Sequence, residues 1–201
     1  MPRREEPALQ PPPIQIGTAA LQASFNAGIS VPRLVFLVSP TCDICVSGAQ
    51  SAVQAVLSLP AECDFRLYRV WLPVLETDTL QAAEEVRSPW SHETRLVDFW
   101  DADLIISRAY HQVLEFGYRV RRHRVAWDIF LLYRAGLQWD HRPPAPSFWM
   151  HQLFLDDVPK LEAETLRHEL QQMIQGGRNG PDESVASHKE YMERPPERRG
   201  S

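Results

Sequence analysis

Two cysteines separated by two residues, Cys42 and Cys45, follow closely on a short apolar run and constrain this chain more than any other feature. The run at residues 34–38 has the length and apolar character of a β-strand that is covered on both faces. Pro40 ends the run. Small or apolar residues then recur at helical spacing up to Pro60, at Ala49, Ala52, Val53 and Val56. The sequence therefore predicts a strand, a tight turn that carries the cysteines, and a helix.

A cysteine pair at the start of a helix has a specific chemical use. The free backbone N–H groups and the positive end of the helix dipole stabilise a thiolate on the first cysteine, so Cys42 is the better nucleophile. Cys45 lies within about one helical turn of it, close enough to attack a mixed disulfide formed at Cys42. We therefore predict that Cys42 attacks and that Cys45 resolves the mixed disulfide.

Residues 34–45, which end in Thr-Cys-Asp-Ile-Cys, resemble the thioredoxin-like superfamily, and in element order the resemblance extends over about residues 32–175. It implies a three-layer α/β/α sandwich with a central mixed sheet. It also implies thiol–disulfide exchange with a disulfide-containing protein or a small thiol as partner. The sequence departs from the family pattern at Thr41, where an aromatic residue is usual, and at Asp43-Ile44, where Gly-Pro is usual. A further departure is the absence of proline at 125–129, where the family has a cis-proline that faces the cysteines.

The remaining patterns divide the chain into further elements. Alternating or apolar runs predict strands at 65–71 and 125–133, with a hairpin into a short strand at 137–139. Helical spacing predicts helices at 78–86, 103–116 and 157–175, whereas 89–100 is predicted as a loop or short helical turn. We expect an extended N-terminal segment at 1–20, one thioredoxin-like domain at 21–176 and a disordered tail at 177–201.

Composition excludes several classes of function. A net charge of -5 gives no general attraction for nucleic acid, and no apolar run approaches the roughly 20 residues that a membrane-spanning helix needs. No apolar stretch after residue 13 is suited to a signal-peptide core. Three cysteines are the wrong parity for a disulfide-stapled secreted domain. We therefore expect a soluble cytoplasmic protein without a cofactor or resident metal, and the sequence does not predict an oligomeric state.

Asp128 is a further candidate site residue, because an acidic residue inside an apolar strand is costly to bury unless it is paired or protonated. The resemblance implies that the beginning of this strand lies near the cysteines, where Asp128 would accept a proton from Cys45. Alternatively, Asp128 lies at the sheet edge or pairs with Arg119 or Arg121.

Two more residues near the motif have simple interpretations. Asp43 opposes a thiolate on Cys42 by like-charge repulsion, and it also favours the first turn of the helix. Cys63 lies outside the pair, and we predict that it behaves as a small apolar residue.

Two other functions remain open. Residues 41–45 also resemble the TCxxC loop of heavy-metal-associated domains, in which two thiolates bind a soft ion such as Cu(I) or Hg(II). The lack of the usual proline favours a third interpretation, a non-catalytic scaffold that uses the fold only for binding.

Overall fold

The computed structural model describes residues 12–87, 90, 93–114, 124–153, 155 and 158–179. Residues 1–11 and 180–201, which belong to the predicted extended segment and the predicted tail, lie outside that set. The described elements are, in chain order, β1 (Gln15–Ile16), α1 (Thr18–Ala27), β2 (Arg33–Val38), α2 (Asp43–Leu57), β3 (Arg66–Trp71), α3 (Leu80–Val86), β4 (Leu96–Trp100), α4 (Ile105–Val113), β5 (Ile129–Tyr133), β6 (Phe148–His151) and α5 (Ala163–Asn179).

In this part of the chain, six strands form one mixed sheet in the order β1-β4-β3-β2-β5-β6. The first four strands in that order run parallel to one another, whereas β5 runs antiparallel to β2, and β6 antiparallel to β5. All six residues of β2 are buried, as expected for a run that is covered on both faces.

Helices cover both faces of the sheet. On one face, α1 and α4 pack Leu21, Phe25, Ile106 and Tyr110 against strand residues such as Val35. On the other face, α2, α3 and α5 contribute to a second apolar core that includes Val53, Ala83, Leu166 and Leu170. The predicted three-layer α/β/α sandwich with a central mixed sheet is therefore confirmed. Among the described helices, none combines the length and the apolar character needed to cross a bilayer.

The prediction of a loop throughout 89–100 is wrong for its second half, which forms β4 between β1 and β3. Asp98 interrupts the apolar pattern of this strand in the sequence. In the structure, its carboxylate accepts bonds from Arg69 Nε at 2.6 Å and from Trp71 Nε1 at 2.9 Å. A buried carboxylate is tolerated when it is paired and hydrogen-bonded, and its partners lie on β3, far away in the sequence.

The structure also differs from prediction at two other segments. The short strand predicted at 137–139 is irregular chain, and the next strand after β5, which pairs with it antiparallel, is β6. The ring of Trp139 packs instead against Phe25 and Tyr110, which draws this segment onto α1 and α4. In addition, β1 and α1 begin within the segment predicted as extended, at Gln15 and Thr18.

Candidate active site

The cysteine pair lies at the junction of β2 and α2. Cys42 is the N-cap of α2, and its sulfur accepts the backbone N–H of Cys45 at 3.5 Å while its carbonyl accepts that of Val46 at 2.9 Å. Asp43 is exposed in the first helical turn, where a negative charge is favourable. Cys42 is half-buried and Cys45 is fully buried, so an incoming disulfide reaches Cys42 first.

Cys45 and Asp128 form a buried acid pair. Asp128 is 4% exposed, and its carboxylate lies close enough to the Cys45 thiol for each group to shift the pKa of the other. Burial raises the pKa of Asp128 from 3.8 to about 6, and the interaction of its carboxylate with the Cys45 thiol opposes this rise. Burial also raises the pKa of Cys45 well above its ordinary value, and the negative charge of Asp128 raises it further. Near neutral pH the pair is therefore a thiol facing a carboxylate.

The backbone holds Asp128 at the start of an interior strand. Its N–H donates to the carbonyl of Leu37 at 2.7 Å, and its carbonyl accepts the N–H of Gln152 at 3.1 Å. Its φ of 54° lies in the left-handed region, which aspartate enters at less cost than most residues with a side chain. This position excludes the alternative of a sheet edge, whereas Arg119 and Arg121 lie outside the described residues.

The cysteine pair follows the central strand β2, with parallel β3 on one side and antiparallel β5 on the other. Asp128, immediately before β5, faces the pair. The fold is thioredoxin-like. The chain has no proline at 125–129, and no peptide bond in the described ranges is cis. Asp128 thus lies immediately before the strand for which the sequence resemblance implies a cis-proline.

Solved structures that are similar to this chain include two mycobacterial proteins. One is a secreted Mycobacterium tuberculosis disulfide oxidoreductase homologous to E. coli DsbE, with 15% identity, a TM-score of 0.47, and coverage of 73% of this chain and 84% of that one. The other is MTB DsbF, with 11% identity, a TM-score of 0.42, and coverage of 74% and 84%. No protein-family model matches the chain. No curated protein matches it either.

Asp78 links the loop that precedes Cys42 to the loop between β3 and α3. Its Oδ1 accepts bonds from the Ser39 hydroxyl at 2.8 Å and from the Thr41 N–H and hydroxyl at 3.1 and 2.6 Å. Its Oδ2 accepts the N–H groups of Val74 and Leu75 at 2.9 and 2.7 Å. The buried carboxylate therefore fixes the residue immediately before Cys42.

Asp78→Ala is expected to lower the free energy of unfolding by about 2 kcal/mol, because several part-buried donors lose a charged acceptor. Urea unfolding at pH 7 measures the effect. Asp64→Ala is the matched control, since the Asp64 side chain is 61% exposed and its ion pair with Arg66 contributes less than about 1 kcal/mol. Equal losses in the two variants would contradict the role of Asp78.

Sequence reasoning found Cys42, Cys45 and Asp128, and the structure brings all three together. It assigned Asp78 only to the start of a helix, and it did not select Gln152. A signal for Asp78 exists, because the carboxyl ends of two adjacent parallel strands, β2 and β3, lie at the same edge of the sheet. Gln152 has no comparable signal in the sequence.

Cys63 is not part of the site. It lies in the loop between α2 and β3, beyond the C-terminal end of a 15-residue helix that begins beside Cys42. A helix of that length separates its ends by about 20 Å. Cys63 is half-buried and packs against the apolar core, as a small apolar residue would. Among the described residues, no group of three or more His, Cys, Asp and Glu side chains is arranged to hold a metal ion.

Proposed function

We propose that this chain is a thiol–disulfide oxidoreductase whose redox pair is Cys42 and Cys45, acting on a disulfide-containing protein or a small-thiol disulfide. The observation that carries the proposal is the pairing of an accessible sulfur at the N-terminus of α2 with a buried thiol that faces a carboxylate. The accessible sulfur is suited to attack, and the buried thiol is suited to resolution.

The reaction begins when the Cys42 thiolate attacks one sulfur of the substrate disulfide. A mixed disulfide forms at Cys42, and the first substrate thiolate leaves. Asp128 then accepts the proton of Cys45, and the resulting thiolate attacks the Cys42 sulfur. The Cys42–Cys45 disulfide forms and the second substrate thiolate leaves, taking up the proton from Asp128. The chain loses two electrons to the substrate, and the reverse sequence oxidises a substrate dithiol.

The state of Cys45 argues against the soft-metal alternative. A metal ion bound by two cysteines requires both as thiolates. Burial and the nearby carboxylate raise the pKa of Cys45, so forming a second thiolate at this position costs free energy. The same features favour a thiol that passes its proton to Asp128 only when the mixed disulfide is attacked.

Equilibration of the chain in dithiothreitol buffers of graded redox potential tests the proposal. We expect one reversible disulfide per chain, formed with the loss of two hydrogen atoms, while Cys63 stays free for alkylation. Peptide mass mapping after alkylation measures both quantities. Retention of Cu(I) at one ion per chain without disulfide turnover would favour the metal-binding alternative, and neither activity would favour the scaffold.

For location we propose the cytoplasm, where thiols are kept reduced and a dithiol is the resting form. The unpaired third cysteine, Cys63, supports this, because an odd thiol is a liability in an oxidising compartment. Fractionation of cells that express the full chain tests the location, and recovery mainly outside the cytoplasm would contradict it.

A further inference from the structure

Gln152, just after β6, contacts both the carboxylate and the helix of the cysteine site. With its amide nitrogen turned toward them, it donates to Oδ1 of Asp128 at 2.9 Å and to the carbonyl of Ile44 at 3.2 Å. Both partners are acceptors, so this orientation of the amide satisfies them and the opposite one does not. Ile44 lies between the two cysteines, so one amide group connects Asp128 to the turn that carries the pair.

Gly48 provides the space for that amide. It is buried within α2, and a Cβ at this residue would lie 2.5 Å from Cδ of Gln152. A glycine in a helix interior is less favourable than an alanine. The helix therefore carries a residue that weakens it at the position where Gln152 packs.

We propose that Gln152 is a positioning residue, which holds the Asp128 carboxylate against Cys45 and the first turn of α2, and that Gly48 is required for this packing. The proposal rests on the proposed function for its chemical meaning. A donor to a carboxylate favours the charged form, so Gln152 keeps Asp128 ready to accept the proton of Cys45. The Gln152 amide also keeps the Asp128 carboxylate oriented toward the Cys45 thiol.

Among the described residues, few titratable groups lie near Asp128. The group of α2 that faces Asp128 is the Cys45 thiol, which in turn interacts with Cys42. From β2 it meets the backbone of Leu37. On β6, His151 pairs with Ile129 and contacts Trp149 of the second core, which places it on the opposite face of the sheet. A change in the titration of Asp128 in a Gln152 variant therefore reports on the amide.

Gln152→Met tests the hydrogen bond at nearly constant side-chain volume. The measurement is the carbon-13 NMR titration of the Asp128 carboxyl in the reduced full chain. The loss of one charged hydrogen bond is expected to raise its pKa by about one unit. Gln54→Met is the control, because Gln54 is exposed on α2 and its variant should leave the titration unchanged. An unchanged Asp128 pKa in Gln152→Met overturns the proposal.

The rate of resolution gives a second readout that a merely structural role would not move. Reduced Cys63→Ser protein, which lacks the third thiol, releases one chromophore from dithiobis-nitrobenzoate as Cys42 attacks and a second as Cys45 resolves. The pH at which the second phase reaches half its maximal rate should rise in Gln152→Met by the same amount as the Asp128 pKa. Unequal shifts overturn the link between Gln152 and the proton transfer.

Gly48→Ala tests the space requirement. It should raise the Asp128 pKa as Gln152→Met does, because the added methyl displaces the amide. Added to Gln152→Ala, where the space is free, it should instead raise Tm by about 3 °C through helix propensity. Gly176→Ala on α5, with nothing near the added methyl, should change Tm equally in both backgrounds. An equal gain in Tm from Gly48→Ala in both backgrounds overturns the role of Gly48.

The two proposals fail separately. If no Cys42–Cys45 disulfide forms in redox buffers, the proposed function fails, and the NMR titration still decides whether Gln152 holds the carboxylate. If the disulfide forms and the titration does not respond to Gln152→Met, the oxidoreductase function stands and the positioning role is overturned.

Discussion

Replacing Cys42 with serine is expected to reduce the rate of dithiothreitol-dependent insulin reduction by more than about 10³-fold, to the rate of dithiothreitol alone. A serine hydroxyl at this position stays protonated and cannot replace a thiolate in attack on sulfur. The accessible sulfur of Cys42 is the point of entry for a substrate, and Cys45 is too deeply buried to take its place. Turbidity of precipitating insulin chains measures the rate.

Two further variants separate the roles of the three cysteines. Cys45→Ser retains the attacking sulfur and lacks the resolving one, so it should accumulate a covalent mixed disulfide at Cys42 that mass spectrometry detects. Cys63→Ser should keep the parent rate, because Cys63 lies beyond the far end of α2. The proposed function is wrong if Cys42→Ser retains the parent rate, or if Cys63→Ser loses it.

The sequence predicts the centre of this fold well because the signals there are local. An apolar run, a break at Pro40 and helical spacing from Cys45 are contained within one stretch of chain, and β2 and α2 form where they indicate. Asp128 can also be selected from the sequence as a candidate site residue, because it is an acidic residue within an apolar run. Its proximity to the cysteines then depends on the predicted topology.

Elements that depend on distant partners are not predicted. The strand β4 contains Asp98, whose charge makes the segment resemble a loop until its partner Arg69 on β3 is known. The irregular segment before β6 is fixed by packing of Trp139 onto α1 and α4. Gln152 lies just after β6 and reaches the cysteine site from about a hundred residues further along the chain. No local pattern encodes such contacts, because they arise only when the layers assemble.

Asp128→Asn is expected to raise the stability of the reduced protein at pH 7 by up to about 3 kcal/mol. Burial raises the pKa of Asp128 from 3.8 to about 6, so the fold favours its protonated form. The protonated Asp128 therefore stabilises the fold below about pH 4, and this stabilisation is lost as pH rises toward 6. At pH 7 the buried, charged carboxylate destabilises the fold, and a neutral amide removes that cost. Asparagine also tolerates the positive φ at this position.

The same substitution is expected to slow resolution by about 10²-fold, because an amide cannot accept the proton of Cys45. The second phase of chromophore release should also lose its inflection near pH 6. Urea unfolding at pH 4 and pH 7 measures the stability, and the difference between Asp128→Asn and the parent should appear only at the higher pH. Asp103→Asn, at an exposed residue, should change neither the stability nor the rate.

A gain in stability together with a slower resolution step distinguishes a catalytic carboxylate from a structural one. A carboxylate that serves only to hold the fold together, as Asp78 does through five bonds, weakens the protein when it is removed. A carboxylate kept charged in an apolar setting for proton transfer destabilises the fold at neutral pH, and its removal strengthens the protein and slows the reaction. If Asp128→Asn lowers stability at pH 7, or if resolution keeps its parent rate, Asp128 is structural and the thiol of Cys45 loses its proton by another route.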